Sequence, residues 1–303
     1  EALRRTVEGY GGQILDSSSR SRYHVDRAAH ILRRSIRALQ EELADSDFEP
    51  VGFEVDFDHQ AFLDGMVLRL SEEERMFLRG IIDRLDVCED GNNLYVRVID
   101  YKSGNTSFDF EAFYYGLQLQ LVLYLRAAME LAGREHPDKQ VEPAAILYYH
   151  MKDPLVEAAN GQDAEIQRLK ELRLNGLVAS DENILKHLDR TLAPGKKSRL
   201  LPVEVNKNGE LSARSQAVSR KRLEALTDYA VEKAARIGQE ILEGHVEQNP
   251  YQRKDRTACS LCSCREACGF DERLPGCEFR KLEKMADEGI WEAVLRAADR
   301  KRE

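Results

Sequence analysis

The spacing of apolar residues changes between residues 25 and 57, and that change restricts the possible folds more than any other feature. From Val25 the apolar positions fall at Ala28, Leu32, Ile36, Leu39 and Leu43, one face of a helix that ends near Asp45. Val51, Phe53, Val55 and Phe57 then alternate strictly, the pattern of a strand with one buried face. Further strands are expected over 66–70, 76–87 and 94–102, with Asp90-Gly91-Asn92 as a tight hairpin turn between the last two. Ser103-Gly104-Asn105 interrupts the pattern; a helix is expected over 110–131 and an apolar strand over 144–149. A helix, several antiparallel strands, a helix and a strand make an α/β core with a mixed central sheet flanked by helices. The regular alternation of a doubly wound fold is absent. Residues 153–215 read as an insertion of helices and loops, and 219–242 as a further helix. The organisation expected is an N-terminal helical flank over 1–50, a core over 51–245 with its insertion at about 153–215, and a cysteine-bearing segment over 246–303.

With 303 residues, 33% of them charged and 42% hydrophobic, the chain can bury a substantial core and is not of disordered composition. No apolar run approaches the ~18 residues of a membrane span. There is no signal peptide, and a cytoplasmic protein is expected. The chain opens on Glu1-Ala2-Leu3-Arg4 without an initiator Met and reads as a piece of something longer, its helical flank truncated. A net charge of −9 argues against coating nucleic acid by bulk charge. It leaves room for a local basic surface beside an acidic, metal-binding pocket. The stretch 195–222 carries eight Lys/Arg against Glu204 and Glu210. It is either a contact with a DNA backbone, which would make binding salt-dependent, or a solvated loop. Gly195-Lys196-Lys197-Ser198 lacks the leading glycine and spacing of a phosphate loop, and the chain has no ATPase motif.

Three residues carry the candidate chemistry. Asp100 and Lys102 lie two apart at the end of a strand, in Val98-Ile99-Asp100-Tyr101-Lys102-Ser103-Gly104, and so project from one face. Asp83, in Gly80-Ile81-Ile82-Asp83-Arg84-Leu85-Asp86, lies on the strand across the hairpin and can reach the same place. Two carboxylates suit a hard cation such as Mg²⁺. An ammonium beside them suits phosphodiester hydrolysis, by orienting or deprotonating water or by screening the transition state. The bland alternative is a set of exposed ion pairs. On the following helix, Gln120 and Tyr124 are four apart and share a face. Glu54 reads as solvent-facing, with a peripheral active-site acid as the alternative.

Of six cysteines, Cys88 stands alone and Cys259, Cys262, Cys264, Cys268 and Cys277 crowd together. Such crowding suits a metal or an iron–sulfur centre better than a secreted disulfide framework. Spacing alone does not choose between zinc and iron–sulfur.

Taken together these motifs resemble the PD-(D/E)XK nuclease superfamily, and within it the RecB-like nucleases of the AddB (RexB) type. The likeness runs from about Ser19 onward. It rests on 80–86, 98–105, the run Tyr-Tyr-Gly-Leu-Gln-Leu-Gln-Leu-Val-Leu-Tyr over 114–124, 148–154 and Cys259-x₂-Cys262-x₅-Cys268. The resemblance implies Asp83 and Asp100 as ligands of Mg²⁺, with the Tyr101 backbone carbonyl as a further one. It implies Lys102 as the catalytic lysine and Gln120 with Tyr124 as the Gln-x-x-x-Tyr element. It also implies a structural 4Fe-4S cluster on Cys259, Cys262 and Cys268, its fourth ligand upstream of this chain; Cys264 is a substitute, and Cys277 and Cys88 are weaker ones. The family's histidine is expected upstream as well, since the surroundings of His24 and His30 do not match its motif. The function implied is a DNA exonuclease domain acting in double-strand break repair by recombination, paired with an AddA-like helicase–nuclease subunit. Two alternatives are a catalytically incomplete DNA-binding or assembly module and a Cas4-like exonuclease. Against the second weigh the 153–215 insertion and the 114–124 run.

Overall fold

Residues 2–10, 14–15, 17–57, 66–157 and 160–302 are described in a computed structural model. Helices α1 (Ala2–Gly9) and α2 (Ser19–Ala44) lead into strand β1 (Glu49–Asp56), the short strands β2 (Val67–Arg69) and β3 (Arg75–Phe77), and the long pair β4 (Ile81–Asp90) and β5 (Asn93–Lys102). The β4–β5 hairpin turns on Gly91-Asn92, with Asp90 paired to Asn93. Gly91 takes φ +58° and Asn92 does not follow it to positive φ, as in a turn with glycine in its first central position. Helices α3 (Phe110–Tyr114) and α4 (Gln120–Glu135) then carry the chain to β6 (Gln140–His150), which lies parallel to β5.

Beyond β6 come α5 (Gly161–Glu171), β7 (Asn175–Ala179), α6 (Glu182–Leu188), β8 (Ala217–Val218) and α7 (Arg220–Leu242). The cysteine-bearing segment contains β9 (Tyr251–Arg253), β10 (Arg256–Thr257), the single turn α8 (Arg265–Cys268), β11 (Arg280–Lys281) and the closing helix α9 (Asp287–Arg302). The main sheet runs β1-β4-β5-β6-β7-β8 and is mixed: antiparallel through β1, β4 and β5, parallel between β5 and β6.

Helices cover both faces of the central strands. One face carries Arg97 and Tyr149 and receives α2, which supplies the Ser35 carbonyl to the Tyr149 hydroxyl and Glu42 to Arg97. The other carries Leu94, Val98, Asp100 and Lys102 and receives α4, which packs on β5 and β6 and sets Gly133 against Val141, the partner of Leu94. All residues from Leu94 to Asp100 are buried, as expected of a strand enclosed on both sides.

Between α2 and the sheet lies a cluster of four charges. The Asp86 carboxylate accepts from Arg84 Nε at 2.7 Å, Arg84 Nη2 at 2.6 Å and Arg97 Nε at 2.8 Å. Glu42 meets Arg97 Nη2 at 2.6 Å and Arg84 Nη2 at 3.3 Å. Two cations against two anions leave no net charge, so all four side chains can be buried.

Several expectations are corrected. The helix expected over 110–131 is two helices, because Gly116 takes φ +83° and ends the first. The strand expected over 76–87 is divided at Leu78–Gly80, so that β3 pairs with β2 outside the main sheet. The alternation buries its apolar face only at the end of β1 and just beyond it: Val51 is 54% and Phe53 64% exposed, while Val55 and Phe57 pack into the core. A bulge between Pro50 and Gly52 and a left-handed Glu54 (φ +49°) upset the alternation on this edge strand. On α2 the buried side chains are Ser35 and Glu42, while Leu32 and Ile36 stay exposed, because the Glu42 ion pairs turn that face to the sheet. The 153–215 stretch is not helices and loops throughout, since β7 is a buried strand of the main sheet.

Candidate active site

β4 and β5 bring the acidic and basic residues together at one end of the sheet. Lys102 Nζ lies 2.6 Å from Asp100 Oδ2, so the two-residue spacing does place both on one face. Asp83 Oδ2 accepts the Tyr101 backbone N–H at 2.7 Å, which holds the first carboxylate against the strand carrying the second. Burial pushes the Asp100 carboxyl above its usual range; the Lys102 ammonium opposes the shift and the nearby Asp83 adds to it. Tyr148 pairs with Asp100 in register, and its ring lies 6.0 Å from Lys102 Nζ. Burial pushes that phenol up to about 12, so Tyr148 stays protonated beside the carboxylate.

Gln120 and Tyr124 form a unit that packs against Gly80, just before β4. Gln120, the first residue of α4, donates from Nε2 to the Tyr124 hydroxyl at 2.8 Å. Tyr124 meets Phe57 edge to face, centroids 5.9 Å apart. Both rings press on Gly80, three residues before Asp83: a Cβ there would lie 2.8 Å from each. Gly80→Ala is therefore expected to cost about 1–3 kcal/mol, read as a lower denaturation midpoint with unchanged slope. No hydrogen bond joins Gln120 or Tyr124 to Asp83, Asp100 or Lys102 among the described residues.

The loop after Lys102 is tied down from two sides. Gln118 Oε1 accepts from the Asp109 N–H at 2.8 Å while its Nε2 donates to the Ser107 carbonyl at 2.9 Å. His150, the register partner of Lys102, places Nε2 3.1 Å from the Thr106 nitrogen and 2.7 Å from its carbonyl oxygen. Sequence reasoning missed His150. The available signal was its place at the end of an apolar strand, as Lys102 ends β5.

A divalent cation fits the donors present. Asp100 Oδ2 is buried and has its ion pair with Lys102 but no well-angled hydrogen bond. Asp83 commits one oxygen to Tyr101. Among the described residues no group of three or more His, Cys, Asp or Glu side chains could hold a metal. Two carboxylates nevertheless suffice for a cation that keeps several waters and takes the rest of its shell from a phosphate. The chemistry such a bound cation supplies is acidification of its water and neutralisation of charge building on the phosphate.

The cysteines fit less well. All six are free thiols. Cys88 is buried on β4, and burial pushes its thiol up to about 11. Cys259 lies on a 3₁₀ turn (Ala258–Leu261) and Cys268 ends α8, but the thiols do not gather into a metal-holding group among the described residues. The segment itself is anchored beside the site. Arg253 holds both oxygens of Asp109 at 2.8 Å and gives Nε to Glu111 at 2.7 Å, at the start of α3. His24 and His30 are exposed on α2, and Glu54 is exposed on β1.

The sequence profile of the PD-(D/E)XK nuclease superfamily matches residues 1–269. The chain belongs to that superfamily. Its mixed central sheet flanked by helices is thus that of a PD-(D/E)XK chain. Among curated proteins it is 39% identical over 299 residues to the B-type subunit of the ATP-dependent helicase/deoxyribonuclease of Lachnoclostridium phytofermentans, covering 96% of this chain and 25% of that protein. Proteins of the same name match from Clostridium acetobutylicum (33% over 293 residues; 96% and 25% covered) and Clostridioides difficile (36% over 284 residues; 92% and 24% covered). The chain therefore spans about a quarter of the length of these relatives. No helix among the described residues is long and apolar enough to cross a membrane.

Proposed function

We propose that the chain is the nuclease portion of an AddB-type subunit, a Mg²⁺-dependent DNA exonuclease acting in double-strand break repair by recombination. The observation that carries this reading is the convergence of Asp83, Asp100 and Lys102, with a buried Asp100 oxygen facing the lysine. Asp83 and Asp100 bind the cation, with the Tyr101 carbonyl as a further ligand. Lys102 orients or deprotonates the attacking water, or screens the charge that develops on the phosphate. Gln120 and Tyr124 flank the site. The names of the relatives, which pair helicase with deoxyribonuclease in one complex, support DNA as substrate and an AddA-like helicase–nuclease subunit as partner. For Cys259, Cys262 and Cys268 we infer a role as three thiolate ligands of a structural 4Fe-4S cluster, whose binding would have to draw together thiols that do not gather among the described residues. A bacterial enzyme of this kind works in the cytoplasm.

A second reading, a DNA-binding or assembly module with an incomplete site, is favoured only by the lack of a third metal-holding side chain among the described residues. The experiment that separates the two is degradation of linear single-stranded DNA with and without Mg²⁺. The nuclease reading expects cleavage that needs the cation and disappears in Asp83→Asn and Asp100→Asn. DNA binding without cleavage by the unaltered protein would favour the module.

A further inference from the structure

A second, basic site opens beside the carboxylates, at the ends of β5 and β6. It is a cavity of about 630 Å³ whose walls include the loop 105–107, His150, and the segments around 170–175 and 197–199. Lys152, Lys170, Arg173, Lys197 and Arg199 line it against a single acidic residue, Glu171. In a chain of net charge −9, five cations facing one carboxylate make a local reversal of sign. Two of the cations are engaged: Lys152 with Glu171 at 3.7 Å, and Arg199 with Asp45 at 3.1 Å. Lys170, Arg173 and Lys197 have no acidic partner among the described residues. Asn175, on the same wall, has a buried side-chain oxygen without a hydrogen-bond partner.

We infer that this cavity holds the phosphodiester backbone of a DNA single strand immediately next to the bond being cut. The inference rests on the nuclease reading and adds to it the surface that grips the strand. Two observations select a backbone over other anions. The first is continuity: His150 lines the cavity and is the register partner of Lys102, so the two sites are about one strand spacing (~4.8 Å) apart at this point. A strand with one phosphate at Asp100 and Lys102 has its neighbouring phosphates within reach of the cations. The second is composition. Apart from His150 the wall has no aromatic ring on which a base can stack, whereas the cationic side chains match phosphate oxygens without regard to sequence. The sequence hint lay in the 195–222 basic run, but only Lys197 and Arg199 from that run reach the cavity; the other three cations come from the chain around β6, α5 and β7.

The test uses the intact protein carrying Lys170→Glu, Arg173→Glu and Lys197→Glu together, with Asp100→Asn as a separate variant. Fluorescence anisotropy with labelled oligo(dT), without divalent cation and over a range of salt, gives the affinity and its salt dependence. Each single-strand phosphate contact contributes a slope of about 0.7, so loss of three should flatten the salt dependence by about 2. Affinity should fall at least about tenfold at ~0.1 M salt. Cleavage should show a raised KM and little change in kcat at saturating DNA. If the triple variant melts early, Lys170→Ala with Lys197→Ala serves instead, since both side chains are exposed. Unchanged oligo(dT) affinity and salt slope in the charge variants would overturn the inference. So would competition by dTMP at the same concentration as the oligonucleotide, which would mark a mononucleotide site. Asp100→Asn should bind oligo(dT) at least as tightly as the unaltered protein, since it removes a carboxylate facing the phosphate, and fail to cut; if it cuts, the nuclease reading fails instead, whatever the basic cavity does.

Discussion

Lys102→Ala should lower the rate of phosphodiester cleavage by about 10²–10⁴ without weakening the hold on a divalent cation. The ammonium sits 2.6 Å from a buried oxygen of Asp100, where it neutralises part of the charge that a cation would otherwise meet. Removing it leaves the carboxylates more negative towards the metal, so divalent affinity should hold or rise while kcat falls. A purely structural ion pair would behave differently. It would be worth ~0–1 kcal/mol at this half-exposed side chain, and its loss would leave the rate alone. Single-turnover cleavage across a Mg²⁺ titration separates the two effects. A rate recovered by more Mg²⁺ would show that Lys102 only assists binding.

The largest effect on stability is expected from Asp86→Ala, at about 3–5 kcal/mol. Asp86 has no exposed surface and accepts from both Arg84 and Arg97. Without it two buried guanidinium groups share the single carboxylate of Glu42. The damage should spread, because Arg84 is the neighbour of Asp83 and Arg97 lies three residues before Asp100. The cluster is thus the reverse face of the strands that form the site. Urea denaturation followed by circular dichroism gives the number, and a loss below about 1 kcal/mol would show that the charges are not the buried unit described. Replacing all four charges with apolar side chains of similar volume should cost less than the single substitution, since no unpaired charge then remains.

These two regions differ in how readily the sequence disclosed them. Asp100 and Lys102 were legible because a strand has a period of two and the loop Ser103-Gly104-Asn105 fixes where it ends. Asp83 was legible because Asp90-Gly91-Asn92 fixes the hairpin that brings it across. Arg84, Asp86, Arg97 and Glu42 were not. In a linear pattern a charge marks a solvent face, and only the meeting of two strands and α2 neutralises these four. The same cluster explains the misread face of α2, where Glu42 outranks Leu32 and Ile36 for burial. The break at Gly116 was hidden because a single glycine is tolerated within helices, and its positive φ is visible only in the folded chain. The basic cavity was half legible. The charge run near 197 was visible, but Lys152 comes to it from the end of β6, and Lys170 and Arg173 from α5 and the approach to β7, a strand absent from the linear reading.

Whether Asp83 and Asp100 grip one cation is best measured by anomalous scattering from a crystal of this protein soaked in Mn²⁺. One strong peak is expected within about 2.5 Å of carboxylate oxygens from both residues, and it should be absent from Asp100→Asn crystals. A cation bound elsewhere in the ordered protein, with those two carboxylates free of it, would contradict the shared site.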